Sequence, residues 1–474
     1  MEIGTAQFAT GIAVKVFDDF LKELQVKKAI NHVLIEKPFH LIEGNNDLVI
    51  NGHAQGDMQP PVFKMHEKSN GQRYTRLDIN GTVTLWVSSP TAESPPLFVF
   101  DISASLIINM VLKPRTGKAP LVGLQYDGIE NYSGPLPKED IEQLILDQNL
   151  GAIINAMEFD LITPMIDAIE DIYGPQPDGL VIGHDEYQVY LKLMKGDDEH
   201  VDAFGLLVDF PIFIDTDMPV TVPSFVPTGS EVVFHTSRNI MDSLLQSGEQ
   251  TLRDYLGNYS EHITVKRLNI WPEADYIAVD GKIEDNYVGA EGTINGPFYF
   301  HLFPGSKNIY LDMRQVNIGI DLPWWLDVIV FLIGESDTVD EIPDIAQEMI
   351  SKTANKVLRN LTSSLDLDLD IEGVKVIVYP DRLKLNNGYL TLYIQVLSHP
   401  ITEKLERASY SSLRRKFMTF ELKSGRKFAV EDLAKFMSEG LVTVPGYHQV
   451  GEKYVRANPD ESKRNNLYER WGRP

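Results

Sequence analysis

The 474-residue sequence contains no cysteine. Disulfide bonds, thiolate metal sites and a cysteine nucleophile are therefore excluded. The absence fits a reducing compartment and a bacterial secreted protein equally, so it is a weak guide to location. The N-terminal segment MEIGTAQFATGIAVKVFDDF has no basic stretch before an apolar run, so we expect no signal peptide. The expected location is the cytoplasm, with non-classical secretion as an alternative.

The sequence also lacks an apolar run long enough to span a membrane, for which about 18 consecutive residues are needed. The most apolar segment, LPWWLDVIVFLIGE at Leu322–Glu335, is interrupted by Asp327 and Gly334. We therefore expect no transmembrane anchor, while peripheral membrane contact stays open. The segment itself has three interpretations: a core helix or strand, the lining of an apolar cavity, or a membrane-touching tip anchored by Trp324 and Trp325.

Positive charge is scarce, with 43 Lys and Arg against 68 Asp and Glu and a net charge of −25. This balance excludes nucleic acid as a partner, because phosphate neutralisation needs clustered basic side chains. The charged residues are distributed unevenly along the chain: from Ile401 onward there are 15 basic and 10 acidic residues. The basic tail predicts a separate C-terminal unit.

Catalytic motifs are absent too. The sequence has no G-x-S-x-G, no P-loop, no H-E-x-x-H and no G-x-G-x-x-G. LDLDLDIEG at Leu365–Gly373 has Ile371 where a calcium loop needs glycine, so its alternation predicts a strand with one acidic face. GHDEY and GDDEH, at Gly183–Tyr187 and Gly196–His200, predict solvated turns rather than metal sites. We predict no catalysis, no cofactor and no metal.

The chain repeats one order of elements at long range. Apolar residues at helical spacing predict a helix over Phe8–Leu24 and another over Phe234–Leu256, the second capped by Thr236 or Ser237. Pro-Asp turns lead into predicted hairpins at Pro177–Leu193 and Pro380–Leu397. Between these ends lie matching strands and a long helix in each half, over Lys138–Ile172 and Thr338–Leu365. Either the chain contains an internal duplication, or it contains two unrelated α+β domains.

This order of elements resembles the tubular lipid-binding (TULIP) superfamily, which includes the bactericidal/permeability-increasing proteins, over about residues 1–399. The resemblance implies an α+β fold: an elongated pair of TULIP-like modules, with long helices wrapped by curved antiparallel sheets, and a small C-terminal α+β domain. The two modules would meet in a central sheet, and a lipid chain would lie between helix and sheet. The implied domains are 1–222, 223–410 and 411–474. The family has no catalytic signature whose residues carry over.

The tail resembles a second family, the bacterial domain of unknown function DUF3892. The match rests on a strand pair, the helix AVEDLAKFMSEG, a Tyr-Val-Arg-x-Asn-Pro-Asp segment and a downstream Asn-Leu pair. Those residues are Tyr454, Val455, Arg456, Asn458, Pro459, Asp460, Asn466 and Leu467. This resemblance implies a bacterial source but no chemistry.

An apolar groove is the site that the sequence predicts, because the helix over Lys138–Ile172 is apolar over more than a narrow stripe and contains adaptable methionines. The predicted groove residues are Leu106, Ile108, Met110, Ile145, Ile153, Ile154, Met157, Leu161, Trp324, Trp325, Val328, Phe331 and Leu332. The predicted function is to bind a lipid or other elongated apolar ligand, for carriage or sequestration. The main alternative is a structural or interaction protein with filled cores. It would bind a protein partner through its acidic surface or C-terminal domain, for example in a toxin or secretion locus. A further alternative is an enzyme of unrecognised type.

Overall fold

The structure is a computed structural model of the chain. It describes residues 6–26, 34–43, 46–69, 73–86, 95–134, 137–147, 150–163, 165–166, 187–209, 222–238, 240–242, 245–246, 263–285, 290–302, 309–312, 317–321, 369–371, 374–386, 389–411, 416–451 and 454–457. Most of these residues lie in strands and few lie in helices, so the described part of the chain is mostly β-sheet.

One seven-stranded antiparallel sheet joins the two halves of the chain. Its strands, in spatial order, are β17 (Leu369–Ile371), β18 (Val374–Asn386), β19 (Tyr389–Leu397), β11 (Val232–Thr236), β1 (Phe8–Ala13), β10 (Ala203–Asp209) and β9 (Gln188–Met194). Outward from the central β1–β11 pair, each half adds first the later and then the earlier strand of a hairpin. The two halves therefore enter the shared sheet in the same order, while a duplication in sequence stays a prediction.

A glycine on β1 lets another segment pack closely on the shared sheet. A Cβ atom on Gly11 would lie only 2.5 Å from Cγ2 of Val226. Ala9, on the same face, is fully buried. Segment 222–230 therefore covers this face of β1, while Phe8 on the opposite face belongs to the main core.

The first half forms a second seven-stranded antiparallel sheet. Its strands are β2 (Leu34–Glu43), β3 (Asn46–Met58), β5 (Arg73–Trp86), β6 (Phe98–Arg115), β7 (Lys118–Ser133) and β8 (Glu158–Phe159), with β4 (Val62–Glu67) paired to β5. β5 alternates strictly between buried and half-buried or exposed side chains. This alternation is the pattern of a strand with one face on a core.

The second half has a matching but shorter described sheet. It contains β12 (Ile263–Pro272), β13 (Ile277–Asp285), β14 (Ala290–Leu302), β15 (Ile309–Asp312) and β16 (Asn317–Asp321). Within Ile309–Leu322, whose alternation predicts a long strand, the described residues form β15 and β16. Both of them pair with β14.

The helices that the structure describes are short. They are α1 (Val14–Val26), α2 (Lys138–Asp147), α3 (Leu150–Ala156) and α4 (Val430–Ser438), with further helical residues between 238 and 246. The predicted fold class, α+β with long helices wrapped by sheets, is therefore wrong for the described residues. The predicted helix Thr338–Leu365 lies outside them.

The predicted helix Lys138–Ile172 fails for a local reason. Its described residues form two short helices, α2 and α3, and then a strand. After α3 the chain forms β8, in which Phe159 is the register partner of Val122 on β7. Strand pairing with β7 therefore replaces helical hydrogen bonds at the point where a continuous helix was predicted.

The two predicted first helices begin later than their sequence pattern indicates. Residues 8–13 form β1, since they pair with β10 on one side and β11 on the other. The second predicted helix likewise starts after β11. The backbone N–H of Ile240 donates to the Ser237 hydroxyl at 3.3 Å, so the predicted cap at Ser237 is confirmed.

The C-terminal residues form a small unit beside the shared sheet. It contains β20 (Ile401–Thr402), β21 (Leu405–Ser411), β22 (Lys416–Leu422), β23 (Lys427–Ala429), α4, β24 (Val442–Thr443), β25 (Tyr447–Val450) and β26 (Tyr454–Ala457). The predicted strand pair and following helix are confirmed as β22, β23 and α4. β21, which pairs with β22, spans the predicted boundary at 410/411.

Candidate ligand-binding interior of the first half

The inner faces of β5 and β6 form an apolar surface that runs the length of their pairing. The register between the two strands is continuous, without a bulge. The paired residues on the inner face are Thr75 and Ile108, Leu77 and Leu106, Ile79 and Ala104, Gly81 and Ile102, Val83 and Phe100, and Leu85 and Phe98. We call these twelve residues the β5–β6 inner face. Thr75 is its one polar side chain.

The β5–β6 inner face reaches the protein surface at one end. Its residues are buried from Ile108 as far as Ile102, but Phe98 is 40% exposed. Leu85, directly opposite Phe98, is only 1% exposed. Leu97 and Val99, the chain neighbours of Phe98, are exposed as well, so this end of β6 is apolar on both faces. We call this end the mouth.

Helices α1 and α3 cover the sheet and complete the apolar interior. From α1, the Phe17 ring lies edge-on to Phe63 and Phe204, with ring centroids 5.8 and 4.9 Å away. From α3 and the turn after it, Ile154 and Met157 are almost fully buried. These side chains and the β5–β6 inner face belong to one continuous apolar core.

The end of the sheet opposite the mouth is held closed by two basic side chains. Lys113 donates to Glu158 Oε1 at 2.8 Å and to the carbonyl of Asn155. Arg115 pairs with Asp160 Oδ2 at 2.7 Å and also reaches Thr163. Together they tie the β6–β7 hairpin to segment 155–163, which we call the strap.

One carboxyl group lies within this apolar surrounding. Asp18 of α1 accepts a hydrogen bond from the backbone N–H of Phe63 at 2.7 Å. Burial raises the pKa of Asp18 to about 6, against the lowering effect of that hydrogen bond. Among the described strands β4 pairs with β5 alone, so Asp18 satisfies a backbone donor on the other edge of β4.

The structure brings together most of the first-half residues predicted to line a groove. Leu106, Ile108, Ile153, Ile154, Met157 and Leu161 are buried in the same core, and Met110 is half-buried against it. Ile145 lies in α2. The second-half residues Trp324, Trp325, Val328, Phe331 and Leu332 lie outside the described residues. That these residues contact a ligand stays a prediction.

Sequence reasoning missed the mouth and the contribution of β5. The alternation in RYTRLDINGTVTLW was a sufficient signal for an apolar inner face, but only β6 was assigned as a wall. It also missed Asp18, because a single carboxylate on an amphipathic helix normally faces solvent. Nothing in the local pattern marks Asp18 as buried; the packing of β4 against α1 does so.

The structure offers no metal centre among the residues it describes, since no three His, Asp or Glu side chains there come together as potential ligands. Likewise, none of the described helices is long and apolar enough to cross a membrane. The predicted solvated turn at Gly196–His200 is confirmed: Asp197 is exposed and accepts hydrogen bonds from His200 within the turn.

The chain is similar to two solved structures at low sequence identity. P47 from Clostridium botulinum A2 aligns at 10% identity with a TM-score of 0.36, over 82% of this chain and 97% of that one. A lipopolysaccharide binding protein aligns at 10% identity with a TM-score of 0.30, over 83% of this chain and 99% of that one. No family model and no curated protein matches the chain. Similarity at this level does not extend the function of those proteins to this chain.

Proposed function

We propose that the first half of the protein binds a lipid or other elongated apolar ligand along the β5–β6 inner face, for carriage or sequestration and without catalysis. One observation carries the proposal: a single apolar face with an unbroken register passes from complete burial to exposure at Phe98. Exposed apolar patches that continue into an interior are typical of ligand or partner sites.

Binding would draw its free energy from burial of the ligand chain. Each methylene group removed from water contributes about 0.8 kcal/mol. No charged group is needed for this gain, and no single residue dominates it. The methionines at 110 and 157 would help the interior adapt to a chain, because their side chains are flexible.

The same proposal extends to the family of the protein, an internal duplication, the relation of the tail and the location. Membership of the TULIP superfamily would account for the shared sheet between the halves, and a duplication would account for the matching order of strands. The relation of the tail to DUF3892 and a cytoplasmic location likewise remain proposals. A lipid surface could supply the ligand through peripheral contact at the mouth.

The proposal is tested by native mass spectrometry of the purified protein, with lipid extraction, and by titration with a fluorescent fatty acid or phospholipid. The test variant is Phe98→Glu, which places a charge on the inner face at the mouth. The matched control is Val99→Glu, because Val99 is the adjacent residue, is 59% exposed and lies on the opposite face of β6. Both positions are exposed enough for the variants to fold.

We expect wild type and Val99→Glu to bind the probe and Phe98→Glu to bind it at least about tenfold more weakly, since a carboxylate at the mouth must be desolvated. A protein that carries no lipid and takes up no probe would contradict the proposal. That result would favour the interaction-protein alternative, with a filled core and a protein partner.

A further inference from the structure

Thr75 has a buried hydroxyl group with nothing to bond to among the described residues. The side chain is 1% exposed, and its Oγ1 atom has no hydrogen-bond partner there. A buried hydroxyl that lacks a partner costs about 1–3 kcal/mol of stability, so such groups are rare in folded proteins. Thr75 is also the one polar side chain of the β5–β6 inner face, so its hydroxyl is available to a ligand that follows this face.

The neighbours of Thr75 explain why it has no partner. Its register partner on β4 is Met65 and its register partner on β6 is Ile108. The next inward residue on its own strand is Leu77. Leu77 and Ile108 offer no acceptor or donor, and the Met65 sulfur is only a weak acceptor. Arg73, two residues before Thr75 on the same face of β5, is bonded elsewhere.

Thr75 also has a defined position relative to the mouth. It lies at the far end of the β5–β6 inner face, ten residues along β5 from Leu85. Because an antiparallel strand rises about 3.4 Å per residue, this distance is about 34 Å. A ligand chain that enters at Phe98 and follows the inner face would bring its leading end toward Thr75.

The charges near Thr75 restrict the leading group of such a ligand. Asp18 bonds to Phe63, two residues from Met65 on β4, so a carboxyl group lies in the same part of the core. Arg73 is the nearest basic residue on the same face of β5, but it already binds Glu67 and the carbonyls of Leu193 and Val222. The surroundings therefore favour a neutral group over an anionic one.

We infer that the ligand is a single-chain lipid with a neutral hydroxyl group at its buried end, and that Thr75 hydrogen-bonds this group. The inference rests on the proposed function and names the ligand class for the same site. A long-chain alcohol satisfies both requirements: its chain fills the apolar face, and its hydroxyl gives Thr75 a partner. An alkane leaves the Thr75 hydroxyl unpaired, and a fatty acid brings a carboxylate toward Asp18.

The experiment compares a long-chain primary alcohol, the alkane of equal chain length and the fatty acid of equal chain length. Each competes with a fluorescent lipid for the full-length protein. The variants are Thr75→Val, which removes the hydroxyl at nearly constant shape, and Thr75→Ser, which keeps it. Thr84→Val is the matched control, since Thr84 is on the same strand but on the outer face.

In wild type we expect the alcohol to bind about tenfold more tightly than the alkane, the ratio that one satisfied buried hydrogen bond supplies. Thr75→Val should abolish this preference without weakening alkane binding, and its melting temperature should not fall. Thr75→Ser and Thr84→Val should keep the preference. The fatty acid should bind more weakly than the alcohol at neutral pH.

The possible failures are distinguishable. If none of the three compounds displaces the probe from the wild-type protein, and this protein carries no lipid, the proposed function itself is wrong. If all three compounds bind but alcohol and alkane bind equally, the proposed function stands and the inference about Thr75 is overturned. A preference that survives in Thr75→Val overturns it as well, because the hydroxyl would then be bonded elsewhere.

Discussion

Asp18 illustrates how one half-buried carboxyl group sets a pH dependence of stability. Burial raises its pKa from 3.8 to about 6 in the folded protein. The folded state therefore holds a proton more tightly than the unfolded state does. Asp18 contributes most to stability below about pH 4, and this contribution is lost as the pH rises through about 6.

We predict that Asp18→Asn removes this loss, because the amide oxygen still accepts from Phe63 and carries no charge. The free energy of unfolding of the variant, relative to wild type, should rise between about pH 4 and about pH 7. Urea denaturation across this range measures it. A difference that stays constant with pH would contradict the raised pKa.

The effect of Asp18 is read from the difference in unfolding free energy between variant and wild type. A second group changes the stability of both proteins with pH in the opposite direction. His235 on β11 lies 2.7 Å from Thr391 Oγ1 and stacks on the Tyr389 ring. Burial lowers the pKa of His235 from 6.5 to about 4, so its contribution to stability is lost as the pH falls through this interval. Subtracting the wild-type curve cancels the His235 effect and leaves that of Asp18.

At the scale of elements, the strap depends on its two basic anchors. Lys113 and Arg115 together donate to five groups, of which four lie between residues 155 and 163. Met157 and Leu161 of the strap are buried in the core. The strap is thus fixed by polar contacts on its outer side and by apolar packing on its inner side.

We predict that the double variant Lys113→Met, Arg115→Met opens the strap locally without unfolding the sheet. Each charged hydrogen bond contributes about 1.5–3 kcal/mol, so exchange protection of the β7–β8 amides should fall at least about tenfold. Hydrogen–deuterium exchange measures this effect. Lys64→Met is the control, because its ion pair with Asp78 lies on β4 and β5, away from the strap. Equal protection in both variants would mean that apolar packing alone holds the strap.

Elements differ in how far the sequence predicts them. The hairpin of β18 and β19 follows from the alternation and turn residues within Pro380–Leu397, and α4 follows from its local pattern. The start of α1 was not predictable from the sequence. Phe8–Ala13 have the apolar spacing of a helix, but they form β1 and pair with β10 and β11. The buried residues of β6 and α3 were predictable as apolar, but the mouth was not, since exposure of Phe98 depends on where neighbouring strands end.

At the scale of the whole molecule, the shared sheet also carries the C-terminal unit. The Tyr379 ring of β18 lies 4.9 Å from the Phe428 ring and 6.0 Å from that of Phe436. Beside these rings, Arg426 pairs with Glu231 at 2.9 Å, and both side chains are about 14% exposed or less. Glu231 precedes β11 and also accepts from the backbone N–H of Val396. This largely buried ion pair therefore links the C-terminal unit to strands of the second half.

We predict that Arg426→Met destabilises the protein by about 3–5 kcal/mol, because it leaves Glu231 buried without its countercharge. Burial already raises the pKa of Glu231 despite the neighbouring Arg426, so loss of the arginine makes ionisation costlier still.

Lys427→Met is the matched control: its pair with Glu421 is 3.9 Å long and half-exposed, worth at most about 1 kcal/mol. Urea denaturation measures both variants. The double variant Glu231→Gln, Arg426→Met should recover part of the loss, since it removes the unpaired charge. Equal effects of Arg426→Met and Lys427→Met would mean that the aromatic contacts of Tyr379, and not the ion pair, hold the C-terminal unit on the sheet.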